Sequence, residues 1–240
     1  MIAFIFSMLG MGGSQLYIPI LYWLGMDFKT QAIPLGMLLN VVNSATASVT
    51  YARKKILNIQ VALPFGFAMI LFAPLGAWLN VQLPLKPLLL FFALFTAAAA
   101  ILMLSGWKPK RGALSTRGRI ILGLTSGSVL GLIAGLIGRG GGSFIVPLLY
   151  IAGLDPRAAA ATSALVVSAS GLSSFFAHLA TAAAPNWPLW AGCCAAVFVG
   201  SRLGSRTMAT RLSPRGIKII FGFVLLAISA LIIIKDVILG

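Results

Sequence analysis

A chain of 240 residues that is 60% hydrophobic and only 9% charged carries more apolar surface than a water-soluble domain can bury, because such domains run near half apolar and a quarter charged. Eighteen lysines and arginines stand against three aspartates and no glutamate, a formal net charge of +15. In a soluble protein that balance would suggest nucleic-acid binding, but here the cations fall mostly between apolar stretches, the pattern of loops flanking membrane spans.

In chain order, residues 1–9 form an apolar opening segment. It lacks a basic leader and a small-residue cleavage site, so it is expected to belong to the membrane unit and not to a cleaved signal. A Gly-rich break follows at 10–14, then a short apolar segment at 15–25 and long spans near 31–52, 59–80 and 87–105. A second series then runs through 119–137, a break at 138–142, a short segment at 143–152, and spans near 157–182, 187–207 and 216–235. The long stretches match the ~20 residues that cross a hydrocarbon core as a helix. The adjacent cysteines 193 and 194 lie inside one span, where they cannot build a disulfide framework and read as ordinary packing.

The two series are copies of one unit. Residues 10–27, GMGGSQLYIPILYWLGMD, align with 138–155, GRGGGSFIVPLLYIAGLD, at an offset of 128. The shared positions are Gly10/Gly138, Gly12/Gly140, Gly13/Gly141, Pro19/Pro147, Leu21/Leu149, Tyr22/Tyr150, Gly25/Gly153 and Asp27/Asp155. Further on, Leu75-Gly76 pairs with Leu203-Gly204, and one residue of slippage later Leu83 and Phe92 pair with Leu212 and Phe221. The expected organisation is a membrane repeat at 1–105, a basic cytoplasmic linker at 106–118 and a second membrane repeat at 119–240.

Charge placement then predicts how the halves are oriented. Twelve of the 18 cations fall in three clusters: Arg53, Lys54 and Lys55; Lys108, Lys110, Arg111, Arg117 and Arg119; and Arg206, Arg211, Arg215 and Lys218. All three should lie on the cytoplasmic side. With eight simple crossings, the linker and the cluster at 206–218 would be on opposite faces. An extra crossing or a re-entrant reversal at each Gly break removes that conflict and makes each half an odd-numbered unit, inverting the second half relative to the first. The fold expected is therefore an all-α integral membrane protein of two inverted repeats with broken or re-entrant helices, about 8–10 membrane helical segments in all.

The breaks also carry the candidate chemistry. Consecutive glycines let several backbone N–H groups converge, and the helix that starts after each break adds its positive dipole end. Gly12, Gly13 and Ser14, with Gly140, Gly141, Gly142 and Ser143, would form two facing anion cradles; the bland alternative is close helix packing by small residues. Arg139 stands inside the second break, where it either meets an anion or snorkels to the interface, and Arg202 poses the same choice. Asn40, Asn43 and Ser44 share one helical face, and Thr162 and Ser163 open the corresponding span. These side chains either line a pathway or bond between helices. His178 near a span end reads as interfacial before proton relay. Asp27 and Asp155 each follow Gly-x before a long span, as helix N-caps do.

With the repeated G-x-G-G-(G/S)-x-x-x-x-P element, present as GMGGSQLYIP and GRGGGSFIVP and followed by AAATSALVVSASGLSSF in the second half and YARKKILN in the first, the chain resembles the sulfite exporter TauE/SafE family of bacterial permeases. The resemblance covers nearly the whole sequence. It implies a secondary transporter of sulfite, sulfonates or related small sulfur-containing anions in the bacterial inner membrane, crossing it many times, with a proton as one candidate coupling ion. Ile33-Pro34-Leu35 departs from the family's Thr-Ser pair, which the second half keeps as Thr162-Ser163, so the second half is expected to dominate binding.

An intramembrane enzyme is disfavoured, since one histidine and three aspartates supply neither a Ser–His nucleophile system nor a metal cluster. No cofactor, metal or nucleic acid is expected. The lipid bilayer is the surrounding partner, and oligomerisation stays open. A passive anion channel, or a carrier of another small oxyanion or carboxylate, remains the alternative. In a background without Cys193 and Cys194, single cysteines in the linker 106–118 and at 183–186 should react with impermeant thiol reagents from opposite faces; reaction of both from one face would rule out the inverted arrangement.

Overall fold

A chain this apolar must satisfy its backbone N–H and C=O groups within each segment, which favours helices. The computed structural model describes residues 1–80, 85–105, 116–137, 142–179 and 182–234, and no strand occurs among them. The helices are α1 (Ile2–Leu9), α2 (Ser14–Trp23), α3 (Ile33–Arg53), α4 (Ile59–Asn80), α5 (Leu85–Leu104), α6 (Thr116–Ile137), α7 (Gly142–Ile151), α8 (Pro156–Leu179), α9 (Trp187–Arg211) and α10 (Pro214–Ile232). A π-helical turn, Phe28–Ala32, leads into α3. These bounds follow the expected segments to within a few residues.

Burial is inverted relative to a soluble protein. Leu63, Phe67 and Trp78 are 63, 61 and 65% exposed, whereas Asn40, Asn43, Thr162 and Ser163 are fully buried. Apolar side chains outside and polar ones inside are what a hydrocarbon solvent selects. Among the described residues, Phe28–Arg53, Ile59–Gly76, Pro156–Leu179 and Pro214–Leu231 are long and apolar enough to cross a bilayer. The protein is an all-helical membrane protein.

Helices α3 and α8 pack antiparallel at its centre. Thr30 O accepts from Ala183 N at 3.0 Å, Asn40 and Val41 lie against Gly171, and Ala47 and Tyr51 cluster with Ala160 and Ala161. Helix α4 runs beside α8 in the same sense, with Asn58 N bonded to Thr162 Oγ1 at 3.1 Å and Ser173 Oγ to Ile70 O at 2.9 Å. Helix α9 runs beside α3 in the same way, with Ser201 Oγ bonded to Asn43 O and Ser205 Oγ to Thr50 Oγ1.

This arrangement collects the basic residues at one end. The termini of α3, α8, α9 and α10 meet there, where Tyr51, Met208 and Ile217 share a cluster and the Arg157 guanidinium donates to Leu212 O. Arg53, Lys54, Lys55, Arg211, Arg215 and Lys218 lie at that end. Arg117 joins them at the start of α6, which runs parallel to α4 with Gly123 against Pro64 and Gly131 against Met69. The 21 residues of α3 separate this end from the other by about 31 Å at 1.5 Å per residue. The opposite end is aromatic: Trp187 and Trp190 stack edge-on with centroids 5.9 Å apart, and Tyr22 meets Phe28 at 5.5 Å.

Packing partners recur when 128 is added to residue numbers. Helix α1 lies on α9 as α6 lies on α4, α3 on α9 as α8 on α4, and α2 on α3 as α7 on α8. The closest approaches repeat as well. A Cβ on Gly76 would overlap the Leu132 carbonyl oxygen, and one on Gly204 would overlap the Phe4 carbonyl oxygen; both residues of each pair are related by the offset. Along α6, Gly127 would place a Cβ 2.7 Å from Phe65 O and Gly131 one 2.9 Å from Met69 Cα, so glycines let these backbones touch. Gly76→Leu and Gly204→Leu should each cost about 1–3 kcal/mol through forced separation, measured as a lower unfolding midpoint in detergent. Gly192→Leu, where a Cβ meets nothing within 4 Å, should leave the midpoint unchanged.

Candidate functional site

Between α1 and α2 the chain turns through Gly10, Gly12 and Gly13, with φ of 69°, 81° and 104°. These left-handed values are open to glycine at little cost. Helix α1 follows α9 toward the basic end, with Ala3 against Gly200 and Phe4 against Gly204. Helix α2 runs away from that end, since Ser14 meets Asn40 and Tyr22 meets Phe28. The glycines thus reverse the chain. Three side chains tie the turn to its neighbours: Asn43 Nδ2 donates to Gly12 O, Asn40 Oδ1 accepts from Ser14 N at 3.3 Å, and Ser163 Oγ donates to Gly10 O at 2.9 Å. Tyr51 OH reaches Ser7 O at 2.6 Å just above.

Arg139, Gly140 and Gly141 of the second break lie outside the described residues. Beyond them Gly142 opens α7 directly against Met11, where a Cβ would sit 2.5 Å from the Met11 Cα. Ser143 Oγ accepts from Gln15 Nε2. Gln15 and Ser143 stand 128 residues apart, the offset at which the two Gly-rich segments align. Helices α2 and α7 therefore begin close together and run in opposite senses, α7 ending where Lys218 Nζ meets Tyr150 OH at 3.1 Å.

The polar residues expected to line a pathway divide into two groups. Ser44 donates to Asn40 O in its own helix, Thr162 Oγ1 accepts from Asn58 N, and Ser163 is committed to Gly10. By contrast Ser14 Oγ, Gln15 Oε1, Tyr17 OH, Asn40 Nδ2 and Asn43 Oδ1 have no hydrogen-bond partner among the described residues. All five side chains are at least nine-tenths buried, and buried polar atoms are nearly always paired. They surround the first break: the Asn40 amide lies against Gly12, and a Cβ on Gly13 would sit 3.2 Å from Tyr17 OH. Five neighbouring groups offering both donors and acceptors are the equipment of a small polar ligand site.

Gln15 and Tyr17 were not among the residues anticipated from sequence. The available signal was a glutamine inside an apolar segment, beside the break, since polar side chains at membrane depth mark function or packing.

Other candidates lie apart from this cluster. Asp27 caps the π-helical turn, accepting from Thr30 N at 2.8 Å and Thr30 Oγ1 at 2.7 Å; the bond from the Thr30 hydroxyl, then that from its N–H, hold the carboxyl below its ordinary pKa. Asp155 caps α8 through Arg157 N at 2.9 Å. His178 is buried at the far end of α8, Arg202 is half-buried on α9, and Cys193 and Cys194 are free thiols. Among the described residues no group of three His, Cys, Asp or Glu could hold a metal.

Comparison with known proteins finds relatives along most of the chain. The family model described as sulfite exporter TauE/SafE matches residues 1–232. A "Probable membrane transporter protein" of Xylella fastidiosa is 30% identical over 97% of this chain and 91% of its own length. A "Probable membrane transporter protein ORF9" of Sinorhizobium sp is 28% identical over 85% of this chain and 77% of its own. No solved structure matches.

Gly12→Ala adds a methyl where φ is positive and where the Asn40 amide stands, so it should cost about 1–3 kcal/mol in the detergent unfolding midpoint. Gly25→Ala has a similar φ of 93° but nothing within 4 Å, and the difference between the two isolates crowding from backbone strain.

Proposed function

The chain belongs to the sulfite exporter TauE/SafE family, and we propose that it is a secondary transporter that moves a small sulfur-containing oxyanion across the bacterial inner membrane. The single observation that carries this reading is the cluster of unpartnered buried groups where the first Gly break meets the start of α7. A pocket of backbone dipoles and neutral amides can replace part of the hydration of a small oxyanion.

In this reading residues 1–105 and 119–240 are two units of inverted topology joined by the linker 106–118. The antiparallel course of α3 and α8, counterparts at the offset of 128, supports it, because units related by an axis along the membrane normal would set them parallel. The collection of Arg53–Lys55, Arg117 and 211–218 at one end supports a cytoplasmic assignment for that end. The chain reverses at 10–13 and again between α6 and α7; in this reading both reversals are re-entrant, leaving the starts of α2 and α7 to face the same buried site. Gly12, Gly13, Ser14, Asn40, Asn43, Gly142 and Ser143 form its wall, and Arg139, Gly140 and Gly141, which lie outside the described residues, are assigned to anion binding on their sequence pattern alone. Ser44, Thr162 and Ser163 hold the wall in place.

Purified protein in proteoliposomes should show sulfite flux that saturates with concentration and exchanges with sulfite on the other side. Asn40→Leu should lower that flux by about tenfold, the equivalent of one lost hydrogen bond to a charged ligand. Flux that rises linearly with concentration and follows voltage alone would establish a channel instead.

A further inference from the structure

We infer that the form of anion taken at this site is a protonated oxyanion, one that presents an O–H beside its charged oxygens, so that hydrogensulfite binds in preference to the sulfite dianion or an organosulfonate. This rests on the reading of the buried cluster as the substrate site. The reasoning starts from two asparagines held in opposite senses. Asn40 Oδ1 accepts from a backbone N–H, that of Ser14, so its amide nitrogen is the end left over. Asn43 Nδ2 donates to a backbone carbonyl, that of Gly12, so its amide oxygen is the end left over. Because one partner can only donate and the other can only accept, neither amide can turn round without losing its bond.

The site therefore presents one committed donor, Asn40 Nδ2, and one committed acceptor, Asn43 Oδ1, both unpartnered among the described residues. Their i, i+3 spacing places them on one face of α3. Ser14 and Tyr17 hydroxyls add two groups that can act either way. Opposite Asn40 stands Gly171 of α8, where a Cβ would come within 2.8 Å of Nδ2, so a side chain there would obstruct that donor.

A trioxyanion without a proton offers acceptors only. It would satisfy Asn40 and leave Asn43 Oδ1 buried against a like partial charge, an arrangement that sites built for an O–H reject strongly. A monoanion with an O–H answers both asparagines and costs less to desolvate than a dianion. Among the described residues the ionisable groups on the elements around the site are few: none within 2–9 of α1, Tyr17 and Tyr22 on α2, Asp27 and Lys29 at the π-helical turn, Tyr51 and Arg53 on α3, and Tyr150 on α7; Arg139 lies outside the described residues. Helix α8 carries Arg157 and His178 at its two ends, and α9 carries Cys193, Cys194, Arg202, Arg206 and Arg211. Tyr51 is committed to Ser7 O. An O–H on the substrate supplies the proton that Asn43 Oδ1 lacks as a partner among the described residues.

Binding of sulfite, methanesulfonate and sulfate to the purified full chain, measured calorimetrically one pH unit below and one above neutrality, tests this. Sulfite should bind about tenfold more weakly at the higher pH, in step with loss of its monoanion. Methanesulfonate shares the SO3 head but has no proton to lose in that range; it should bind at least about tenfold more weakly than sulfite at the lower pH and show no pH dependence. The flat methanesulfonate response also controls for titration of the protein. Asn43→Leu should abolish the preference of sulfite over methanesulfonate, while Asn40→Leu and Ser14→Ala should weaken both. Sulfite binding that ignores pH, or methanesulfonate binding as tightly as sulfite, overturns the protonated form and leaves the site standing. Unchanged binding of all three anions by Ser14→Ala and Asn40→Leu proteins that keep the wild-type unfolding midpoint overturns the site itself.

Discussion

Hydrocarbon offers no partner to a polar group, and everything distinctive in this protein follows from where the chain accepts that cost. Helices settle the account for most of the backbone. At 10–13 the helix stops, and the freed groups are met by Asn40, Asn43 and Ser163 from α3 and α8. Those donors and acceptors explain why α3 and α8 are buried, polar and central, while α4 presents Leu63 and Phe67 outward. A break without such support would be unaffordable, and support this elaborate leaves several atoms over. The leftover atoms are what make the region a candidate site.

Close packing makes the support available. Without a hydrophobic force between helices in lipid, contact depends on backbones coming near enough for dispersion and weak polar contacts to accumulate. Gly76 on Leu132 and Gly204 on Phe4 provide that twice, at positions related by one offset. They pin α6 to α4 and α1 to α9. The starts of α2 and α7 are thereby brought together, and Gln15 bonds Ser143 across the junction.

Part of the candidate site was legible in the primary structure. Gly12, Gly13, Asn40 and Asn43 stand out because glycine runs and amides are rare at membrane depth, and the structure brings them together. Ser44 and Ser163 carry the same polar signal, yet their hydroxyls are taken by Asn40 O and Gly10 O. Composition cannot tell a hydroxyl that is committed from one that is free, since the partner carbonyl lies 4 residues away in one case and 153 in the other. Gln15 and Tyr17 sit in a segment whose neighbours are apolar, so periodicity hides them; only the meeting of α2 with α3 and α7 shows their polar ends unpaired.

The sequence by itself determined the solvent, the helical class and the clustering of the positive charge, because each of these depends on residue type and spacing along the chain. Tertiary structure alone decided which polar groups remain unpaired at the break and in what sense each asparagine is held. That outcome depends on contacts between residues far apart in number, such as Asn43 with Gly12 and Ser143 with Gln15, and hydrogen bonding is a property of pairs.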